Sequence, residues 1–154
     1  MTGDKSLQTY KPGELTKLIK EQVATCSTPY ELVRMEQFII AGEDNKQAVA
    51  EMLLELNEFS NVSRKMNGSQ VVETVRMMLQ QYPNLSLQEY QAFFNRIRAG
   101  YYGQLYDSLD GIKIMAFIRQ FYDEMNTAWI EKVHENDYRR KVDTGARDLK
   151  TWNK

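Results

Sequence analysis

Apolar side chains recur along this chain at three- and four-residue spacing almost from end to end, and alternation at period two is scarce. Spacings of three and four put residues on one side of an α-helix, whereas a half-buried strand needs a period of two, so the pattern confines the chain to a helical fold. Leu15, Leu18, Ile19 and Val23 mark a first short helix. Thr28-Pro29-Tyr30-Glu31 opens a second. Thr28 can accept from an unpaired backbone N–H, Pro29 sits where its missing N–H costs nothing, and Glu31 completes a capping box. Leu32, Val33, Met35, Phe38 and Ile39 would carry that helix to a glycine stop at Gly42.

Asp44 opens a third helix with Val49, Met52, Leu53, Leu56 and Phe59 inward. Residues 60–69 read as a loop or linker. A fourth helix carries Val71, Val72, Val75, Met78, Leu79 and Tyr82 on one side and ends at Pro83. Ser86-Leu87-Gln88-Glu89 is a second capping box, opening a fifth helix with Leu87, Tyr90, Phe93, Phe94 and Ile97 as its inward stripe. Gly100 and Gly103 interrupt the pattern, and 101–109 is expected as a turn or short helical piece. From Gly111, capped by Asp110, a sixth helix of about twenty or more residues places Ile114, Met115, Ile118, Phe121, Tyr122, Met125, Trp129 and Val133 on one face. Periodicity fades after His134.

The expected fold is therefore all-α, an irregular bundle of about six helices over residues 1–138, followed by a basic flexible tail over 139–154. At 154 residues the chain has the size of one domain and can bury one core. Residues 60–69 are the one candidate boundary between two lobes.

Composition narrows the chemistry. Twenty Lys and Arg stand against 21 Asp and Glu, a formal net charge of −1, so no global basic excess advertises nucleic acid. One Cys and one His argue against a structural zinc site, whose ligands are drawn mostly from those residues. Asp110-Gly111 matches the middle of a calcium loop, but the register then puts Phe117 where an oxygen ligand is required. Cys26 has no intrachain disulfide partner, which suits a reducing compartment. A nucleophile would have to find its base in His134, the lone imidazole, within a charged stretch. Gly100-Tyr101-Tyr102-Gly103 lacks the Lys-Ser/Thr of a phosphate loop, and matches the clamp of a KH domain without that fold's strands. No enzyme activity, cofactor or metal is expected. The polar start of the chain and the short apolar clusters predict a cytoplasmic protein with no membrane contact.

Three surfaces are candidates for binding. Residues 90–106 hold six of the 17 aromatic residues and two Arg, with no acid between Glu89 and Asp107. Aromatic rings beside cations suit single-stranded nucleic acid, whose bases stack while its phosphates are neutralised. Tyr90, Phe93, Phe94 and Ile97 belong to a core stripe, and Arg96 and Arg98 stand about 160° apart on a helix, so they cannot form one clamp. Arg98, Tyr101 and Tyr102 remain as the candidate surface. The tail is the second. Arg139, Arg140, Lys141, Arg147, Lys150 and Lys154 outnumber Asp143 and Asp148, with Arg139, Arg140 and Lys141 its densest stretch; Trp152 could stack on a base, dock on a neighbouring chain or be incidental. Glu51, Glu55 and Glu58 share one stripe of the third helix and must face water or a basic partner.

Tyr82-Pro83-Asn84-Leu85-Ser86-Leu87, through Tyr101-Tyr102-Gly103 to Phe121, resembles small helical proteins of phage and mobile-element replication modules. That resemblance implies a replication accessory or helicase-loader-like role and assigns no residue. Two readings of function follow. The first is a non-enzymatic accessory of DNA replication or another nucleic-acid transaction, binding a protein partner such as a helicase and touching single-stranded DNA. The second is a helical protein-interaction module with no nucleic-acid role, either an inhibitor or adaptor of a host protein or a homodimer formed through the sixth helix. Adaptable methionines such as Met52, Met77, Met78, Met115 and Met125 suit the second.

Overall fold

The computed structural model of the chain describes residues 13–26, 28–104 and 108–152, with side chains as far as Val142. The polar N-terminal stretch, residues 105–107 of the expected turn and Lys154 lie outside the described residues, as do the side chains of Arg147, Lys150 and Trp152. Among the described residues six α-helices make an irregular bundle: α1 (Glu14–Val23), α2 (Pro29–Leu32), α3 (Lys46–Phe59), α4 (Gly68–Gln81), α5 (Leu87–Arg98) and α6 (Gly111–Trp152). Among the described residues there are no strands, only isolated bridges joining Ile40 to Ser86 and Arg64 to Ser108. No helix among them is long and apolar enough to cross a membrane.

Helix starts follow local chemistry. Ser86 accepts from the backbone N–H of Glu89, whose carboxylate accepts from the backbone N–H of Ser86 in return. Asn67 and Gln70 form the same reciprocal box at α4, a signal as legible as the first and not anticipated. Asp110 Oδ1 accepts from Lys113 N–H at 2.9 Å and caps α6. Thr28 caps α2 by accepting from Glu31 N–H at 3.2 Å.

The centre of the bundle is α5. It packs against α1, α3 and α6, and the Tyr90 hydroxyl donates to the carbonyls of Met78 and Tyr82 at the end of α4. One inward stripe was expected on this helix. Instead its first two turns are buried all round, including Gln88, Glu89 and Gln91. Buried polar groups need partners, and most of these have them. Gln88 accepts from Ile39 N–H and donates to Gln22, while Glu89 accepts from Ser86 and from the Trp129 indole. One core runs from Ile19 to Ala128 and includes Val62 and Met66. Residues 60–67 are thus pinned loop, not boundary: buried Asn57 bonds both the N–H and the C=O of Met66.

Other expectations give way to tertiary contacts. The second helix ends after four residues, because residues 39–41 pair with the chain before α5: Leu87 N–H donates to Ile39 C=O and Ala41 N–H to Leu85 C=O. Phe59, Val72 and Val133, expected inward, are 62%, 62% and 54% exposed. Residues 139–152, expected as a flexible tail, continue α6 as helix. Ion pairs along it, Glu135 with Arg139 and Asp137 with Arg140, sit at the three- and four-residue spacing that supports helix in a polar stretch.

Candidate nucleic-acid interface

The end of α5 sets the geometry of the aromatic junction. Gly100 takes a left-handed conformation at φ 79° and donates to Ile97 C=O, while Tyr101 N–H reaches back to Arg96 C=O at 3.0 Å. These two bonds form a Schellman turn, which brings the second residue past the helix cap onto the helical residue five positions earlier. Tyr101 is therefore placed on Arg96. The Arg96 guanidinium carbon lies 3.6 Å from the Tyr101 ring centroid, and Tyr101 remains 58% exposed. On its other side Arg96 meets Glu124 of α6 in an ion pair at 2.8 Å, with the arginine side chain only 11% exposed. That contact is not in line with an N–H, and Arg96 Nε has no acceptor among the described residues.

The junction divides the other two predicted residues. Tyr102 is packed into the core, stacked on Phe117 at 5.3 Å and tilted against Phe93 at 5.9 Å. Its hydroxyl is buried with no partner among the described residues. Arg98 points the opposite way, over the exposed ring of Phe59 at the end of α3, 4.8 Å from the centroid. Arg96, which the expected surface of Arg98, Tyr101 and Tyr102 leaves out, is the cation that meets Tyr101. The signal was present in the chain: a C-terminal glycine at 100 pairs residues 96 and 101 whatever their types.

The remaining candidates lie elsewhere. Arg139 and Arg140 pair with acids of their own helix, and both stay over 70% exposed; Lys141, beside them on α6, is exposed as well. Below them α6 is tied to the body by Arg34–Glu135 and by Lys132 Nζ donating to Val33 C=O. Glu51 and Glu55 face α1, accepting from the Thr16 hydroxyl and pairing with Lys20. With Glu58 they line a groove of about 340 Å³ whose opposite wall carries Lys17 and Lys20. Much of the basic partner that the acidic stripe requires is thus supplied by the chain itself.

A cleft of about 270 Å³ opens beside the Arg96–Tyr101 pair. Its α5 and α6 wall includes Ala92, Asn95, Arg96, Ala99 and Phe121; Val23, Cys26 and Leu32 contribute from the α1–α2 side. Among the described residues no group of three His, Cys, Asp or Glu is placed to hold a metal ion.

Residues 65–148, more than half of the chain, match the model of DUF6633, a family of unknown function. The chain belongs to that family. No curated protein and no solved structure matches it. The DUF6633 segment contains α4, α5, the Schellman turn and α6 as far as residue 148, so Arg96, Arg98 and Tyr101 all fall inside it. The acidic stripe and the α1–α2 wall of the cleft fall outside the matched DUF6633 segment.

Burial raises the phenol of Tyr102 well above the ordinary tyrosine range; the charge of Arg96 works against the shift and Glu124 with it. Burial also raises Tyr90, assisted by the charge of Glu89. A raised folded-state value means the folded protein holds these protons more tightly, so the stability they contribute is intact below the unfolded tyrosine pKa of about 10 and lost above it. Urea midpoints are expected to fall steeply above about pH 10, with phenolate absorbance of these two rings appearing only as the protein unfolds. Tyr90→Phe should flatten part of that fall.

Proposed function

We propose that this DUF6633 protein is a non-enzymatic accessory of a nucleic-acid transaction such as DNA replication, acting in the cytoplasm through contacts with a protein partner and with single-stranded nucleic acid. One observation carries the reading: the exposed Tyr101 ring is set on the Arg96 guanidinium by the Schellman turn. A ring that stays exposed and is backed by a cation offers a base a stacking platform already in place, with little ordering cost on binding. The sequence from Tyr90 to Tyr106 holds no acidic residue, the Glu124 carboxylate at the junction is paired with Arg96, and exposed Arg98, Arg139, Arg140 and Lys141 supply further positive charge. The resemblance of residues 82–121 to helical proteins of phage and mobile-element replication modules supports the same reading and suggests a helicase as the protein partner.

Fluorescence anisotropy with a labelled single-stranded oligonucleotide tests this. Binding should weaken as salt rises. Tyr101→Ala should lower affinity about 5- to 150-fold, the equivalent of one lost stacking contact, without changing the salt slope. Arg98→Gln should instead flatten the slope by about one phosphate contact. No binding at low salt, or an unchanged Tyr101→Ala, overturns the reading.

A second reading, a helical protein-interaction module with no nucleic-acid role, is favoured by the outer part of α6. There Ile130, Val133, Tyr138 and Val142 are all about half exposed or more. A stable dimer in light scattering without affinity for any strand is its expected signature.

A further inference from the structure

The cleft beside Tyr101 has properties that a stacking platform alone does not require. Its floor is apolar and closed: Val23, Leu32 and Phe121 are each 1% exposed or less. Its polar groups are chiefly donors. The Asn95 amide oxygen is occupied by Gln91 Nε2 at 3.0 Å, which leaves the Asn95 NH₂ without an acceptor among the described residues. Arg96 lies on the same wall, with its Nε and Nη1 buried and without a hydrogen-bond acceptor among the described residues. At about 270 Å³ the cleft falls just below the roughly 300–1,000 Å³ of sites for drug-sized ligands, which leaves room for one nucleobase.

We propose that this cleft holds one unstacked pyrimidine base of a bound single strand. The inference rests on the nucleic-acid reading above and deepens it. Proteins that read single strands splay bases out, pack them against aromatic or arginine planes and bond their exposed edges. A pyrimidine fits by its edge: thymine presents O2 and O4 and cytosine O2 and N3 as acceptors, which the Asn95 NH₂ can meet. The strand would then pass over Tyr101, with one base on the platform and the next turned inward.

Cys26, the only cysteine, lines the cleft and is half-buried, so it reports occupancy. The experiment follows its reaction with a disulfide reagent such as dithionitrobenzoate, in the presence of oligothymidylate or an abasic strand of equal length. Anisotropy runs in parallel. Oligothymidylate at ten times its Kd should slow the reaction about tenfold, and the abasic strand should bind without slowing it. Ala99→Leu places bulk into the cleft from an exposed helix-end position, where the fold tolerates it. That variant should keep strand binding through Tyr101 and narrow its preference for thymidylate over the abasic strand, because only the Tyr101 stack then still distinguishes the two. If oligothymidylate binds by anisotropy while Cys26 reacts at an unchanged rate, the cleft is not a base site, and the function proposed above stands. Equal discrimination by Ala99→Leu overturns the inference in the same way. If no strand binds, both fall together.

Discussion

Phe93→Ala is expected to cost about 3–5 kcal/mol, a large share of the roughly 5–15 kcal/mol that holds a domain folded. The ring is fully buried at the crossing of α5 and α6, with Phe94 at 5.3 Å, Phe121 at 5.4 Å and Tyr102 at 5.9 Å. Truncation removes both the burial and the aromatic contacts, and the surrounding rings, held on α5, on α6 and in the turn between them, cannot close over the space. In urea the midpoint should fall with the slope unchanged. The melting temperature should drop by about 6–20 °C, at 2–4 °C per kcal/mol for this length. Phe93→Leu, which keeps most of the volume, should cost less. A loss below about 1 kcal/mol would mean that the rings do not pack as described.

Glu89→Ala is expected to cost about 3 kcal/mol through a different mechanism. One oxygen of this buried carboxylate accepts from the backbone N–H and the hydroxyl of Ser86, at 3.0 and 2.9 Å. The other accepts from the Trp129 indole at 3.4 Å. Alanine leaves those donors buried without an acceptor, at about 1–3 kcal/mol for an unsatisfied group, relieved in part by local rearrangement. Glu89→Gln keeps one carbonyl oxygen for Ser86 but turns an NH₂ toward the indole N–H. It should fall between the two, and pairing it with Trp129→Phe in a double-mutant cycle should recover part of the loss. Equal stability of Glu89→Ala and the natural protein would show that this carboxylate does not join α5 to α6.

These two residues mark where the sequence was legible and where it was not. Phe93 lies on an apolar stripe, and its inward position follows from period alone. The capping role of Glu89 is equally local and was read from Ser86-Leu87-Gln88-Glu89. Its contact with Trp129, forty residues on, was not, because no pattern along the chain identifies the distant partner of a polar side chain. The same holds for Gln88, which looks like a solvent-facing residue until Ile39 and Gln22 meet it. Residues 37–41 have the apolar content to extend α2. They are drawn away by pairing with 85–87, a contact that only the fold creates.

At the junction, the flexible glycines and exposed Tyr101 were readable. Tyr102 was not separable from Tyr101, since both follow the same glycine, and only the position of Phe117 on α6 decides which ring is buried. That Arg96 and not Arg98 meets the ring follows from a local rule. The helix reverses at Gly100, so the arginine four residues before it, not two, receives the tyrosine that follows.

The most direct measurement is photo-crosslinking to a single-stranded oligonucleotide carrying 5-iododeoxyuridine, followed by mapping of the modified peptide. Adducts should concentrate on Tyr101, diminish with Tyr101→Ala and disappear as salt releases the strand. Crosslinks confined to the outer part of α6 or to the acidic groove, with Tyr101 unmodified, would contradict a nucleic-acid platform at the end of α5.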